Sequence, residues 1–196
     1  GTYMLDANFT PDWPRAAELM RARWEEVHPE RLDGVLTLDT VAVSYLLDVT
    51  GPVQVGDYTL TADNAVDPLL NQAYIDFPEP AAQDAFFRLV AKTVFEKVAS
   101  GEIGKPRELL RALVRAGDEG RVAVHLTDDL EQETIAARRV AGATRDADGV
   151  AQGLDVLLQD ATASKMSYYL DYRTRASVTT CTEETARVRV TTTLVS

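Results

Sequence analysis

Apolar residues recur at helical spacing along several stretches of the chain and alternate along others. Trp13, Ala17, Met20, Trp24 and Val27 fall at i, i+4, i+7, i+11 and i+14. That spacing puts them on one face of an amphipathic helix. Asp12 stands where a cap belongs, Pro14 is tolerated in the first turn, and the helix is expected to end near His28-Pro29. Val35, Leu36 and Leu38 then make a short apolar run, the mark of a buried strand, expected to be central in a sheet. Asp39 is placed to cap a second helix with Val41, Tyr45, Leu46 and Val49 on its apolar face. Gly51 and Pro52 end that helix. Two short strands, Val53–Val55 and Tyr58–Leu60, flank Gly56-Asp57, the dipeptide order of a tight type II′ hairpin.

Further on, Thr61 is a cap with Asn64 three positions later. Pro68 predicts a kink or a restart capped by Asp67. Residues 74–80 read as a loop carrying exposed aromatics. A long helix is expected over residues 81–100, with Phe87, Val90, Ala91, Val94 and Val98 inward and Gly101 as its stop. A shorter helix over 105–116 places Leu109, Leu110 and Leu113 inward. Residues 121–126 alternate as a strand with Val122, Val124 and Leu126 on one face. Thr127 or Asp128 caps a helix over 130–139, and residues 142–149 are polar and expected to be mobile. Strands are expected over 154–159 and 166–171, and a β-hairpin over 174–180 and 186–195. Helices interleaved with strands predict an α/β fold: a mixed β-sheet flanked by helices, with a C-terminal β-hairpin. The expected division is a domain at 1–172 followed by a hairpin at 173–196 that starts a further β module. No internal repeat or low-complexity tract interrupts the pattern.

Composition narrows the function classes. An apolar fraction of 45% supports a full core, and 20 basic against 31 acidic residues give a net charge of −11. A chain this acidic repels a phosphate backbone, so nucleic acid is not an expected partner. Cys181 stands alone, so no disulfide forms within the chain. The two histidines, His28 and His125, offer no zinc spacing, and no cofactor is implied. His125 alternates away from the apolar face and is expected at the surface. No apolar run approaches the ~20 residues that span a bilayer. The abrupt opening at Gly1-Thr2 and the strand-like end at Val195-Ser196 predict a segment of a longer protein.

Several residues are candidates for chemistry. Asp6, Asn8 and Asp12 lie ahead of a helix start, where polar groups line ligand clefts, although capping and turn formation use the same residue types. Asp160, Ser164 and Lys165 offer a carboxylate, a hydroxyl and one of four lysines. Adjacent strand residues face opposite ways, so a tight turn competes with a Ser/Lys nucleophile pair. Asp146-Ala-Asp-Gly lacks the remaining acidic ligands of a calcium loop. Asp33, Asp39 and Asp48 sit at element ends, where capping competes with acid–base work. Tyr74, Phe77 and Trp13 are candidates to line a sugar- or lipid-facing groove, with core packing as the alternative.

The runs Asp6-Ala-Asn-Phe-Thr-Pro-Asp-Trp-Pro, Leu32-Asp-Gly-Val-Leu-Thr-Leu-Asp, Leu47-Asp-Val-Thr-Gly-Pro-Val, Leu60-Thr-Ala-Asp-Asn and Asp160-Ala-Thr-Ala-Ser-Lys-Met-Ser-Tyr-Tyr-Leu resemble a domain family of unknown function (number four thousand and twelve). That family occurs in large actinobacterial envelope proteins. More distantly, residues 6–100 resemble the later part of a LytR-CpsA-Psr domain, which transfers glycopolymers from a polyprenyl pyrophosphate carrier to peptidoglycan. Asn8, Leu32-Asp33, Leu47-Asp48 and Gly51-Pro52-Val53 hold the places of its motifs. Its long helix begins Arg-x-x-Arg-Gln; here Gln83 fits, but Glu79 and Ala82 stand at the arginine positions. The resemblance therefore implies an extracytoplasmic domain, at the cell surface or membrane-anchored through segments outside this chain. It implies a non-catalytic domain that binds a cell-wall glycan, a polyprenyl-linked precursor or a protein. The alternatives it carries are a glycopolymer phosphotransferase that uses upstream arginines and Mg2+, and a purely structural interaction module. The ligand-binding candidates on this reading are Asp6, Asn8, Asp33, Tyr74, Phe77, Asp160, Ser164 and Lys165.

Overall fold

The computed structural model describes residues 4–100, 104–144, 156–157, 166–182 and 185–196. The chain divides into two compact units, residues 1–153 and residues 154–196.

In the first unit a short 3-10 turn, Met4–Phe9, precedes helix α1, Trp13–Glu25. Asp12 caps α1 as the sequence predicts, its Oδ2 accepting the Arg15 N–H at 3.2 Å. The helix stops short of His28, whose ring stacks on Trp24 with centroids 3.9 Å apart. Ala16 and Ala17 are its buried residues, while Trp24 and Val27 are exposed. Strand β1, Gly34–Leu38, leads to helix α2, Thr40–Thr50, where Asp39 Oδ1 accepts the Ala42 N–H at 2.7 Å. Gly51 ends α2 at φ +79, a region open to glycine, and its N–H donates to Leu47 O at 2.8 Å. Strands β2, Val53–Val55, and β3, Tyr58–Leu60, form the expected two-residue hairpin, with Val55 opposite Tyr58.

Thr61 and Asn64 then bond reciprocally through backbone and side chain. Pro68 restarts the chain as a π-turn, Pro68–Gln72, running into the short helix α3, Ala73–Asp76. Asp67 makes no capping bond; its carboxylate accepts from the Asn71 amide. Tyr74 is thus helical rather than in a loop. Helix α4, Pro80–Ala99, and helix α5, Pro106–Asp118, follow. Strand β4, Val122–Leu126, and helix α6, Asp129–Ala136, complete the regular elements. Asp128, not Thr127, caps α6; the Thr127 hydroxyl donates to Leu32 O at 2.8 Å.

The expected mixed sheet is replaced, among the described residues, by separate two-stranded antiparallel sheets. β1 pairs with β4, Gly34 opposite Leu126 and Leu38 opposite Val122, so it is not central, and Leu36 is 53% exposed. The physical reason lies in α2. It carries the chain away from β1, and the next strand then satisfies its backbone locally in a hairpin. Periodicity specifies a strand but not its partner.

The larger core joins Val43, Leu46 and Leu47 of α2, Val53, Val55 and Leu60 of the hairpin, and Phe86, Val90 and Val94 of α4. A smaller one joins Ala42, Ala116 and Val122. α2 is therefore buried on two sides, through Ala42, Val43, Ser44, Leu46 and Leu47; of the stripe expected through Val41, Tyr45, Leu46 and Val49 only Leu46 is buried, and the other three are half-buried. On α4, Phe86 replaces Phe87 as the fully buried ring and Ala91 is exposed. On α5 the small residues Ala116 and Gly117 are buried, while Leu110 is 62% exposed and Leu113 is also exposed. His125 is half-buried, and among the described residues its buried Nδ1 has no hydrogen-bond partner. Residues 142–144 are docked rather than loose: Trp13 N–H donates to Gly142 O at 3.1 Å, and Thr144 N–H to Asp12 Oδ1 at 3.2 Å.

In the second unit a 3-10 turn, Met166–Tyr169, replaces the strand expected from residue 166. Strands β5, Asp171–Cys181, and β6, Ala186–Val195, then form the C-terminal hairpin the sequence predicts. The strand expected over 154–159 lies outside the described residues except for Val156 and Leu157, which are not in a strand.

Candidate functional site

A polar cluster of the first unit joins α2, α5 and the turn that leads into β4. α5 ends at Asp118, and the turn through Gly120, φ +72, brings Glu119 and Arg121 back toward α2. Arg121 Nε donates to Glu119 Oε2 at 2.7 Å, and Tyr45 Oη donates to the same oxygen at 2.8 Å. Arg115 Nε donates to Glu119 Oε1 at 2.9 Å, and its guanidinium lies 3.9 Å above the Tyr45 ring centroid. Arg121 Nη1 also reaches Asp39 Oδ2 at 2.8 Å, so the α2 cap carboxylate serves helix and network together.

These contacts set the electrostatics. The Arg121 guanidinium, then the Tyr45 hydroxyl and Arg115, hold the Glu119 carboxyl down at about 2. The hydrogen bond to Glu119 pushes the Tyr45 phenol up, with burial adding to it. Glu119 is therefore anionic throughout the neutral range, with both oxygens occupied. Beside the network runs an open groove, lined by Tyr45, Asp48 and Val49 from α2, by Lys105 just before α5, and by Glu108, Arg111 and Arg115 from α5. Lys105 pairs with Glu108 at 3.2 Å. Among the described residues, Asp48 and Arg111 have no ion-pair partner. The groove thus presents one free cation and one free carboxylate above a neutralised floor.

Of the residues expected to bind a ligand, the structure brings Tyr74 and Phe77 into one aromatic cluster. Tyr74 packs on Phe87 at 5.5 Å, and Phe77 on Phe86 at 5.2 Å, with Tyr58 5.0 Å from Phe86. Tyr58 Oη donates to Asp76 Oδ2, which together with burial pushes the Tyr58 phenol up to about 12. Asp6 and Asn8 fall in the first 3-10 turn, and Asn8 is exposed. Asp33 precedes β1, its carbonyl accepting the Thr127 N–H at 2.8 Å. Asp160, Ser164 and Lys165 lie outside the described residues. Sequence reasoning missed Tyr45, Arg115, Glu119 and Arg121. Arg115 and Glu119 are spaced i, i+4, a pairing signal, but nothing local indicated that Tyr45 would meet them.

The long helix that the resemblance placed against a pyrophosphate starts without a cation. Glu79 is its cap residue with no side-chain capping bond, Ala82 is half-buried, and Gln83 Nε2 donates to Phe77 O at 2.7 Å. Among the described residues no group of three or more His, Cys, Asp or Glu side chains is placed to hold a metal. No described helix is long and apolar enough to cross a membrane.

These features define a small mixed helix-and-strand module carrying a polar groove, with a β-hairpin unit after it. Residues 1–74 match the model of the family described as Protein of unknown function (DUF4012). The matched region holds the α1 entrance, the β1–α2–β2 unit and the first hairpin. No curated protein and no solved structure matches the chain.

Proposed function

We propose that this chain is a non-catalytic, extracytoplasmic envelope module whose first unit binds an envelope component in the groove between α2 and α5. The candidates for that component are a glycan, a polyprenyl-linked precursor and a protein. One observation carries the reading: apart from Asp48 and Arg111, the charged side chains lining the groove are paired, Lys105 with Glu108 and Arg115 with Glu119, and Glu119 is held well below the usual carboxylate range. A site built this way recognises and holds rather than moving protons. Arg111 and Asp48 are the groups with charge to spare, so a ligand that offers both an anionic group and a donor fits the groove. A relationship of this unit to LytR-CpsA-Psr domains is part of the same proposal. It is motivated by the order of the helix entrance, strand, turn and long helix, and by Gln83 at its motif position.

The test is calorimetric titration of the protein with soluble peptidoglycan fragments and with a polyprenyl pyrophosphate analogue, repeated on Arg111→Glu. Saturable binding that Arg111→Glu weakens about tenfold supports the groove. Binding unchanged by that variant, or release of pyrophosphate during the titration, overturns the reading.

A further inference from the structure

The C-terminal hairpin has two faces of opposite character. Alternation along its register puts Tyr172, Thr174, Ala176 and Val178 on one face, opposite Leu194, Thr192, Val190 and Val188. The other face carries Arg173 opposite Thr193, Arg175 opposite Thr191, Ser177 opposite Arg189 and Thr180 opposite Arg187. Each of these four successive rungs holds one arginine and one hydroxyl. A register shift between Val178 and Thr180 leaves Thr179 as an extra residue on β5 and sets Thr180 opposite Arg187. Same-face neighbours on a strand lie about 7 Å apart, so the four guanidiniums form a line about 20 Å long. The line crosses from β5 to β6 between Arg175 and Arg189. All four arginines are exposed. Arg173 pairs with Asp171 at 3.4 Å at one end, and among the described residues the other three have no ion pair.

We propose that this face is a binding site for a linear anionic polysaccharide that lies across the ribbon, one acidic group to each rung. A guanidinium forks onto a carboxylate or sulfate, and the hydroxyl opposite it suits the ring hydroxyls of a sugar. A nucleic acid strand is the poorer fit, because this face has no aromatic side chain on which bases stack; Tyr172 is on the other face. An acidic peptide adding to the sheet would run along an edge through its backbone, whereas the ladder crosses the middle of the ribbon. The inference deepens the proposed function by naming a class of glycan. It rests on that reading only in the kind of ligand, because it uses a different surface in the other unit.

The experiment is affinity electrophoresis of the full chain through gels containing polygalacturonate, neutral dextran or single-stranded oligothymidylate. Retardation by polygalacturonate alone, weakened about tenfold in Arg175→Glu/Arg189→Glu and strengthened at lower salt, supports the ladder. Arg175→Lys/Arg189→Lys is expected to keep part of the affinity, since charge remains and the fork is lost. If the glutamate pair alters the far-ultraviolet circular dichroism spectrum, Arg175→Gln/Arg189→Gln is used in its place. Unchanged retardation in the glutamate or glutamine pair overturns the proposal, and so does no retardation of the wild type at low salt. Equal retardation by oligothymidylate overturns the glycan assignment. Loss in Arg111→Glu with full retention in the ladder variants overturns the ladder while leaving the groove standing.

Discussion

Glu119 and Tyr58 show at the scale of one residue how tertiary contacts reset chemistry. Glu119 keeps its charge down to about pH 2 because Arg121, Tyr45 and Arg115 all donate to it. A carboxyl whose folded pKa is lowered stabilises the fold above its unfolded value and loses that contribution as pH falls through the folded value. Stability is therefore expected to decline as pH drops from about 4.5 toward about 2. Glu119→Gln should flatten that part of the profile, as read from denaturant midpoints against pH. A profile unchanged by the substitution would mean that the network does not hold in solution. Tyr58 shifts the other way, to about 12, because its hydroxyl donates to Asp76. Its contribution is complete below the ordinary phenol value of 10 and is lost as pH rises toward 12. Absorbance titration of the phenolates should show a group ionising near pH 12, and Tyr58→Phe should remove that step.

Among the elements, α1 and α2 depend on their caps, and the caps have second duties. Asp12 accepts from Arg15 with one oxygen and from Thr144 with the other, so α1 is fastened at its start to a segment far along the chain. Gly142 makes that fastening possible. Its φ is +64, and a Cβ there would lie 2.6 Å from Trp13 Cβ. Gly142→Ala is expected to cost about 1–3 kcal/mol for the left-handed backbone alone, before any clash. A melting temperature equal to wild type would contradict this docking. At the other end of α2, Lys97 of α4 donates to Gly51 O at 3.2 Å and Pro52 O at 2.6 Å. A cation there satisfies carbonyls and complements the helix C-terminus. Sequence periodicity placed each of these helices, but not Lys97 or Thr144 against them, because side chains from remote segments leave no local trace.

On the scale of the whole molecule, charge is divided unevenly. Residues 154–196 hold five acidic and five basic residues, so the entire excess of eleven acids falls within 1–153. Self-repulsion of that unit is screened by salt. Raising the salt concentration from about 10 mM to about 150 mM should lift its melting temperature by about 2–4 °C, the shift that about 1 kcal/mol produces at this size. A fall measured by scanning calorimetry would show that attractive pairs dominate instead. The sequence by itself determined the positions of the main helices, the caps at Asp12 and Asp39, the stop at Gly51, the Gly56-Asp57 turn and the terminal hairpin. Each of these rests on interactions between residues a few positions apart. Tertiary structure alone decided that β1 pairs with β4 instead of standing inside a mixed sheet, and that α2 is buried on two sides. It alone turned Tyr74 and Phe77 into packing partners of Phe87 and Phe86, and it assembled Tyr45 with Glu119 and Arg121. These outcomes depend on which surfaces meet after the chain has folded back on itself. A hydrophobic period can specify that a face is buried, but the residues covering it come from remote parts of the chain.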